Sequence, residues 1–179
     1  MPFELLRSEI LVQGRAFKVK RDILKTPDGQ ETRLEIVEHG GSVVLFPVDE
    51  DGNLLFVRQY RTAVGRDLLE LPAGTREGDE PFEACAAREI REETGMEAGK
   101  LQKLGEFYLV PGYSTELMAA FLATELKENP LQADDDEFLQ VEKIPLRKAM
   151  EMAEHGEIQD GKTLAALLLA RPHLEKYFG

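Results

Sequence analysis

The sequence predicts an α/β sandwich, in which strands are flanked by a few helices in mixed order, preceded by a small β region. Two observations carry this prediction. Apolar runs bounded by turn residues, such as Ser42–Pro47, are typical of buried strands, and segments of helical period such as Pro81–Thr94 occur among them. The length of 179 residues, with 42% apolar and 31% charged residues, fits one globular domain.

Residues 1–40 predict short antiparallel strands. Arg15–Asp22 alternates in polarity, Pro27-Asp28-Gly29 indicates a turn, and Glu31–His39 resumes an extended pattern. Such hairpins are too small to bury a core alone. We therefore expect them to lie on the main body, residues 41–179, or on a second subunit.

The main body begins with strands. Ser42–Pro47 is a β-branched, buried run, and Asp51-Gly52 indicates a turn, so Asn53–Tyr60 is predicted to be its hairpin partner. Leu68–Leu71 is a shorter predicted strand that ends at Pro72.

Three helices are predicted. The first runs from Pro81 to Thr94, because proline suits the first helical position and Gly95 suits the residue just past the end. The remaining predicted elements are strands at Leu104–Val110 and Leu117–Leu126 and helices at Leu146–His155 and Gly161–Ala170.

Composition excludes several classes of protein. The net charge of −12 repels a phosphate backbone, so we expect no nucleic-acid partner, and a small anionic ligand would need a cation beside it. The longest uncharged apolar stretch, Thr163–Ala170, is too short to cross a bilayer, and the N-terminal residues do not resemble a secretory signal. With Cys85 as the single cysteine, we expect a cytoplasmic protein without a membrane partner.

An acidic helix face is the most informative feature. Glu89, Glu92 and Glu93 stand at i, i+3 and i+4, so their carboxylates project from one face and repel one another. A cation held between them would convert the repulsion into ligation. Alternatively, the face is solvated and carries ion pairs with Arg88 and Arg91.

The wider spacing favours the cation. Gly74, Glu80, Arg88-Glu89, Ile90, Glu92-Glu93, Gly95 and Met96 together resemble the complete signature of the Nudix hydrolase superfamily. This resemblance implies an α/β/α sandwich with a mixed sheet over residues 41–179. It also implies metal-dependent hydrolysis of a nucleoside diphosphate linked to another group, with two or three ions of Mg²⁺, Mn²⁺ or another divalent cation per site.

The resemblance also assigns roles within the signature. Glu89 and Glu93 match the principal metal ligands, and Glu92 matches a further ligand or a base for water. The remaining roles are a carbonyl ligand at Ala73, an arginine that orients the glutamates at Arg88, and glycines that permit tight turns at Gly74 and Gly95.

Outside the signature the chain resembles the ADP-ribose pyrophosphatase branch. Pro111 lies 15 residues beyond Met96 in the sequence LVPGYSTE, and VRQYR (Val57–Arg61) and LELPAG (Leu69–Gly74) also match. The implied reaction converts ADP-ribose to AMP and ribose 5-phosphate. Alternative substrates are a nucleotide sugar, FAD, NADH or a dinucleoside polyphosphate, and a non-catalytic ADP-ribose-binding module is a further alternative.

This branch implies contacts with the substrate. Arg61 would contact the diphosphate or the distal ribose, and Glu116 would accept hydrogen bonds from the terminal ribose. Arg33 and Glu35 match a pair that recognises adenine. Phe17 is the best aromatic residue to stack on the adenine, reaching it from a partner subunit, although packing within its hairpin is an equal alternative.

Two further expectations follow from the branch. An acidic loop approaches the metals to activate water, and Glu137 fits this role best, with Asp135 as a neighbouring candidate; Glu92 and another loop acid stay open as the base. Residues 1–40 would exchange between subunits, so we expect a homodimer in which this region forms the interface and the adenine side of the site.

Overall fold

The structure is a computed structural model that describes residues 3–132 and 138–174. The chain divides into two compact units. The first comprises Met1–Gly41 and Phe107–Met118, and the second comprises Ser42–Glu106 and Ala119–Gly179.

The first unit is built on a three-stranded antiparallel sheet in the order β1 (Glu4–Gln13), β2 (Phe17–Lys25), β3 (Glu31–His39). Strands β2 and β3 pair without interruption, whereas the pairing of β1 with β2 has two register shifts. Every residue of β1 is exposed within this one chain. The prediction of antiparallel strands in residues 1–40 is confirmed.

The loop that follows strand β8 (Met96–Tyr108) is fixed to β3 by main-chain hydrogen bonds. The Val37 amide donates to the Tyr113 carbonyl at 2.8 Å, and the Thr115 amide donates to the Val37 carbonyl at 2.9 Å. The Thr115 hydroxyl accepts from the His39 amide at 2.9 Å. These bonds hold the segment between Pro111 and Glu116 against the first sheet.

The second unit contains two sheets and three helices. A three-stranded antiparallel sheet has the order β10-β5-β6, and a four-stranded mixed sheet has the order β7-β4-β9-β8. The strands are β4 (Ser42–Pro47), β5 (Asn53–Arg61), β6 (Arg66–Glu70), β7 (Ala73–Thr75), β8, β9 (Leu117–Glu128) and β10 (Gln140–Pro145). The helices are α1 (Phe82–Thr94), α2 (Leu146–Glu154) and α3 (Gly161–Ala170), and a 3₁₀ turn covers Arg171–His173.

The predicted hairpin between Ser42–Pro47 and Asn53–Tyr60 is wrong. Strand β4 lies between β7 and β9, whereas β5 lies between β10 and β6 in the other sheet. The turn between them is closed by the bridge between Val48 and Leu54 and by a hydrogen bond from the Asp49 amide to the Asn53 carbonyl at 2.9 Å. Both strands have long buried apolar runs, and such a run reports burial on both faces without specifying the neighbouring strand.

The predicted helices are confirmed to within a residue or two, but the strand predicted at Leu104–Val110 is longer and starts earlier. Strand β8 begins at Met96, directly after Gly95, because Gly95 reverses the chain in a left-handed conformation with φ of 73°. None of the helices in the described residues has the length and apolarity that crossing a bilayer requires.

Helix α1 packs on the four-stranded sheet. Its buried residues Cys85, Ala86 and Ile90 join a core cluster with residues of β4 and β9. Small side chains on the helix allow close approach to the sheet. The partners of this helix face in the cluster are Val43, Leu45, Ala119, Phe121 and Ala123.

Candidate active site

Helix α1 also carries the acidic face, and two of its three carboxylates lie on the buried side of the helix. Gly95 ends the helix as the sequence predicted, whereas Pro81 is the extended N-cap residue and not the first helical residue, so the helix starts one residue later than predicted. Glu89 is 6% exposed and Glu93 is 7% exposed, although both are charged residues that normally face solvent. The alternative of a wholly solvated helix face therefore does not describe these two carboxylates.

Gly74 makes room for Glu89. A Cβ atom at Gly74 would lie 1.8 Å from the Glu89 Cδ and 1.9 Å from its Oε1. Gly74 lies in β7 and is not among the glycines with positive φ, so its role is to permit this contact. Gly95, by contrast, does adopt the left-handed conformation that a tight turn requires.

The residue before Gly74 holds the second buried carboxylate. The Ala73 amide donates to Glu93 Oε2 at 2.9 Å. Glu89 and Glu93 are thereby brought to the same short strand, one against Gly74 and one against Ala73. The structure therefore brings together the backbone of Ala73 and the two carboxylates for which the sequence predicted metal ligation.

Arg88 orients the carboxylates around it. Its Nη1 donates to Glu89 Oε1 and to Glu92 Oε2, each at 2.7 Å. Its Nη2 donates to Glu80 Oε2 at 3.0 Å and to the Thr75 carbonyl at 3.1 Å. Glu80 thus has a structural contact, as expected. Arg91 donates to the Asn129 carbonyl at 2.9 Å.

These contacts keep Arg88 and Glu80 charged. Burial opposes the charge of Arg88, but hydrogen bonds to Glu80 and the charge of Glu89 raise the pKa of the guanidinium. The hydrogen bond from Arg88 lowers the pKa of Glu80. A fork of this kind needs the planar guanidinium, which lysine cannot provide.

The donor set fits a divalent cation of the Mg²⁺ or Mn²⁺ type. Glu80, Glu89, Glu92 and Glu93 carry four negative charges against one positive charge on Arg88, which leaves −3. The available donors are oxygens, the ligands that such hard cations prefer. Within residues 3–132 and 138–174 no three acidic, His or Cys side chains already surround a common point, and Arg88 engages two of the candidate ligands.

Cys85 does not contribute a nucleophile. Burial, which is the main cause, raises the pKa of its thiol to about 12. A thiol in that state is protonated at neutral pH and unreactive. The interpretation of Cys85 as a packing residue of α1 is therefore confirmed by its surroundings.

Arg61 ends strand β5 and forms a two-point ion pair. Its Nε donates to Glu70 Oε1 at 2.8 Å and its Nη2 donates to Glu70 Oε2 at 2.6 Å. The hydrogen bond to Glu70 raises the pKa of Arg61, and the charges of Asp160 and Glu93 act in the same direction. Arg61 therefore lies within the electrostatic influence of the acidic face.

The residues predicted to recognise adenine lie in the first unit. Arg33 and Glu35 share one face of β3, and Glu35 accepts a hydrogen bond from Arg21 Nε at 2.8 Å, which lowers the pKa of Glu35. Phe17 lies on the same face of the neighbouring strand β2. Arg33 pairs with Ile23 of that strand, which is six residues after Phe17. That spacing is about 20 Å along a strand, so Phe17 and Arg33 of one chain do not hold the same base.

Glu116 is half-buried in the first unit, and its amide donates to Ser114 Oγ at 3.2 Å. Glu137 and Asp135, the predicted loop acids, lie outside the described residues.

Sequence reasoning missed a buried ionic group behind Arg61. Glu70, Lys162, Asp160 and Thr163 are joined by ion pairs and hydrogen bonds, although Glu70 and Lys162 are 92 residues apart in the chain. Two weak signals existed. Asp160 precedes the predicted helix at Gly161 as a capping residue would, and Glu70 interrupts an otherwise apolar run.

Comparison with known proteins shows the family to which the chain belongs. The NUDIX domain family model matches residues 38–167, so the chain belongs to the Nudix family of hydrolases. Members of the family generally need a divalent metal.

Individual relatives are similar over most of their length. The ADP-ribose pyrophosphatase of Bacillus subtilis is 35% identical over 90% of this chain and 89% of its own. That of Mycobacterium tuberculosis is 37% identical over 93% and 82%. A GDP-mannose pyrophosphatase of Citrobacter koseri is 36% identical over 80% of each. The solved structure of an ADP compounds hydrolase has a TM-score of 0.86 at 25% identity, covering 98% of this chain and 96% of that one.

Proposed function

We propose that this chain hydrolyses the pyrophosphate of ADP-ribose to AMP and ribose 5-phosphate. The observation that carries the proposal is the pair of buried carboxylates, Glu89 and Glu93, held against Gly74 and Ala73. Relatives named ADP-ribose pyrophosphatase support the choice of substrate. The single free thiol of Cys85 favours the cytoplasm as the place of action.

The residues that would hold the cation are Glu89 and Glu93, with Glu92 and the carbonyl of Ala73 as further ligands. A bound Mg²⁺ neutralises charge on the diphosphate and lowers the pKa of a coordinated water. The protein contributes placement: Gly74 admits the Glu89 carboxylate, and Arg88 orients Glu89 and Glu92. We propose two or three ions per site.

The proton of the attacking water needs an acceptor. Glu92 is a candidate because its carboxylate is only partly buried and hydrogen-bonded to Arg88. Glu137 is the other candidate and lies outside the described residues. Either group would act as a general base without forming a covalent intermediate.

We propose that Arg61 contacts the diphosphate, that Glu116 binds the terminal ribose, and that Arg33 and Glu35 recognise adenine. Stacking by Phe17 would then come from a second subunit, because Phe17 and Arg33 are about 20 Å apart along one sheet. A homodimer through residues 1–40 is part of the proposal. It is supported by the full exposure of β1, including its apolar residues Leu5, Leu6, Ile10, Leu11 and Val12.

GDP-mannose is the second candidate substrate, because relatives named GDP-mannose pyrophosphatase are equally similar in identity. Both reactions would use the same acidic face, and only the recognition of base and sugar would differ. The presence of Glu89, Glu92 and Glu93 together argues against a module that binds ADP-ribose without cleaving it.

The test is a rate measurement with Mg²⁺ and each compound. We expect release of AMP from ADP-ribose with a higher kcat/KM than cleavage of GDP-mannose. Glu93→Gln should lower kcat by at least about 100-fold, because a metal ligand is lost. Glu83→Gln, an exposed residue on the first turn of the same helix, is the matched control and should retain wild-type activity. Equal rates for Glu93→Gln and wild type would contradict the metal assignment.

A further inference from the structure

We infer that Glu70 and Lys162 are positioning residues, which fix the Arg61 guanidinium so that its remaining N–H groups face the substrate diphosphate. The inference rests on the proposed function, because it takes an anionic diphosphate as the ligand of Arg61. It concerns Glu70 at the end of β6 and Lys162 in α3, which lie outside the Nudix signature.

The geometry of the Arg61–Glu70 pair leaves donors for a ligand. A guanidinium has five N–H donors, and Glu70 engages one on Nε and one on Nη2. The other three donors, two of them on Nη1, have no hydrogen-bond acceptor among residues 3–132 and 138–174. The Arg61 side chain is 40% exposed whereas that of Glu70 is 1% exposed. The buried carboxylate therefore anchors one edge of the guanidinium while the other edge stays accessible.

Glu70 is itself held by a second cation. Lys162 Nζ donates to Glu70 Oε2 and, at 2.9 Å, to Asp160 Oδ2. The Lys162 side chain is 9% exposed, so both partners of this pair are removed from solvent. Arg61, Glu70, Lys162 and Asp160 carry two positive and two negative charges, and the group is therefore balanced.

The group is also tied to the backbone on both sides. Asp160 caps α3 by accepting from the Thr163 amide at 3.0 Å, and the Thr163 hydroxyl donates to Asp160 at 2.6 Å. The Leu71 amide donates to the Thr163 hydroxyl at 2.8 Å. Leu71 lies two residues before Ala73, which holds Glu93. Glu70 is consequently fixed within a segment that also positions the acidic face.

Stability alone is a weak reason for this arrangement. Well-packed apolar residues often replace a buried ion pair without loss of stability. Glu70 is held by Lys162 and in turn holds the partly exposed Arg61. This arrangement pre-organises the Arg61 guanidinium for an anionic ligand. Arg61 would otherwise sample many rotamers and lose them on binding.

A double-mutant cycle tests the inference. We would measure kcat and KM for ADP-ribose, and the affinity for ADP by titration calorimetry, in wild type, Arg61→Ala, Glu70→Gln and the double variant. We expect Glu70→Gln to lower kcat/KM and ADP affinity about 10- to 100-fold in the wild-type background. In the Arg61→Ala background Glu70→Gln should lower kcat/KM and ADP affinity by less than about threefold, because Glu70 acts through Arg61.

Lys162→Met removes the cation on the other side of Glu70 and keeps both Arg61 and Glu70. The inference can therefore still be tested if Glu70→Gln does not fold. Lys162→Met should weaken ADP binding by at least about threefold in the wild-type background and by less than about twofold in Arg61→Ala. The matched control is Glu142→Gln. Glu142 forms the corresponding ion pair with Arg58, which lies in the same strand as Arg61, through hydrogen bonds of 2.5 Å and 3.3 Å. This control should retain wild-type kcat/KM.

The outcomes separate the inference from the proposed function. Additive effects of Arg61→Ala and Glu70→Gln on ADP affinity would overturn the inference, whatever the rate with ADP-ribose. Non-additive effects on ADP affinity in a protein that does not cleave ADP-ribose would support the inference and contradict the proposed reaction. A loss of activity in Glu142→Gln equal to that in Glu70→Gln would also overturn it.

Discussion

At the scale of single residues, the surroundings of each glutamate on α1 distinguish its role. Glu83 is exposed in the first turn, Glu92 is partly buried against Arg88, and Glu89 and Glu93 are almost fully buried. Burial of a carboxylate is unfavourable unless hydrogen bonds or cations compensate it. Two such groups, one paired with Arg88 and one accepting from the Ala73 amide, concentrate negative charge where we propose that a cation binds.

Gly74→Ala should lower the activity of a protein that still folds. A Cβ at this position meets Glu89 at less than 2 Å, so the Glu89 carboxylate must move away from its place. We expect kcat to fall by at least about tenfold and the free energy of unfolding to fall by about 1–3 kcal/mol. Rate assays and urea denaturation measure the two effects.

Gly40→Ala is the control for this substitution, since a Cβ there meets nothing within 4 Å and Gly40 has no positive φ. It should retain both activity and stability. Wild-type kcat in Gly74→Ala would show that the contact between Gly74 and Glu89 has no role in the reaction.

Stability should depend on pH through Glu70. Burial would raise the pKa of Glu70, but hydrogen bonds from Arg61 and the charge of Lys162 outweigh it and lower the pKa below 4.5. A carboxyl group with a depressed pKa stabilises the fold above its unfolded pKa and loses that contribution as pH falls through the folded pKa. The contribution is therefore complete near neutral pH and disappears in acid.

Denaturation of wild type and Glu70→Gln at several pH values tests this expectation. At pH 7 the variant should be less stable by about 3–5 kcal/mol, because removing one partner leaves buried charges uncompensated. The difference should shrink steadily between pH 5 and pH 3. A difference that stays constant over this range would contradict the assigned direction of the pKa shift.

At the scale of elements, start and stop signals made the helices predictable. Pro81, Gly95 and Gly156 bound α1 and α2 closely, because proline and glycine act through local backbone geometry. Strand neighbours were not predictable in the same way. The buried runs of β4 and β5 show burial, and only long-range packing assigns them to different sheets.

The site likewise has a part that local spacing predicts and a part that only long-range contacts assemble. Regular spacing on α1 revealed Glu89, Glu92 and Glu93, because they are neighbours on one helix. The group formed by Glu70 and Lys162 was not found, since a separation of 92 residues leaves no local pattern. Strand β7 was also missed, as its three residues are too few for a periodic signal.

Loss of the cap of α3 should destabilise this element and the group behind Arg61 together. Asp160→Ala removes hydrogen bonds to the Thr163 amide and hydroxyl and the ion pair with Lys162. We expect the free energy of unfolding to fall by about 1–3 kcal/mol, somewhat more than a cap alone contributes.

The control for the cap is Asp160→Asn, which keeps an oxygen acceptor and removes the charge. Asparagine caps helices as well as aspartate does, so it should restore most of the lost stability. Chemical denaturation measures both variants. Equal losses in the two variants would show that the charge, and not the cap, accounts for the effect.

At the scale of the whole molecule, a net charge of −12 must be reconciled with an anionic substrate. In the function we propose, a locally bound cation and Arg61 would together reverse the sign of the field where the diphosphate would bind. The exposed apolar residues of β1 are a second feature at this scale, because a strand exposed along its length is a pairing surface.

The proposed homodimer predicts a mass of about 40 kDa in sedimentation equilibrium, twice the 20.1 kDa of the chain. Ile10→Glu, at a residue 61% exposed in β1, should shift the mass toward the monomer and lower activity. Leu168→Glu, at a similarly exposed residue of α3, should leave the dimer intact. A concentration-independent monomer of wild type would contradict the dimer.

Direct measurement of Mn²⁺ binding tests the central claim that Glu89 and Glu93 exist to hold a divalent cation. Titration of the protein with Mn²⁺, followed by the loss of the free-ion electron paramagnetic resonance signal, should show bound ions in wild type and in Glu83→Gln. Glu93→Gln should bind at least about tenfold more weakly, since a ligand is lost. Equal affinity in wild type and in a Glu89→Gln/Glu93→Gln double variant would show that the cation binds elsewhere and would contradict the account.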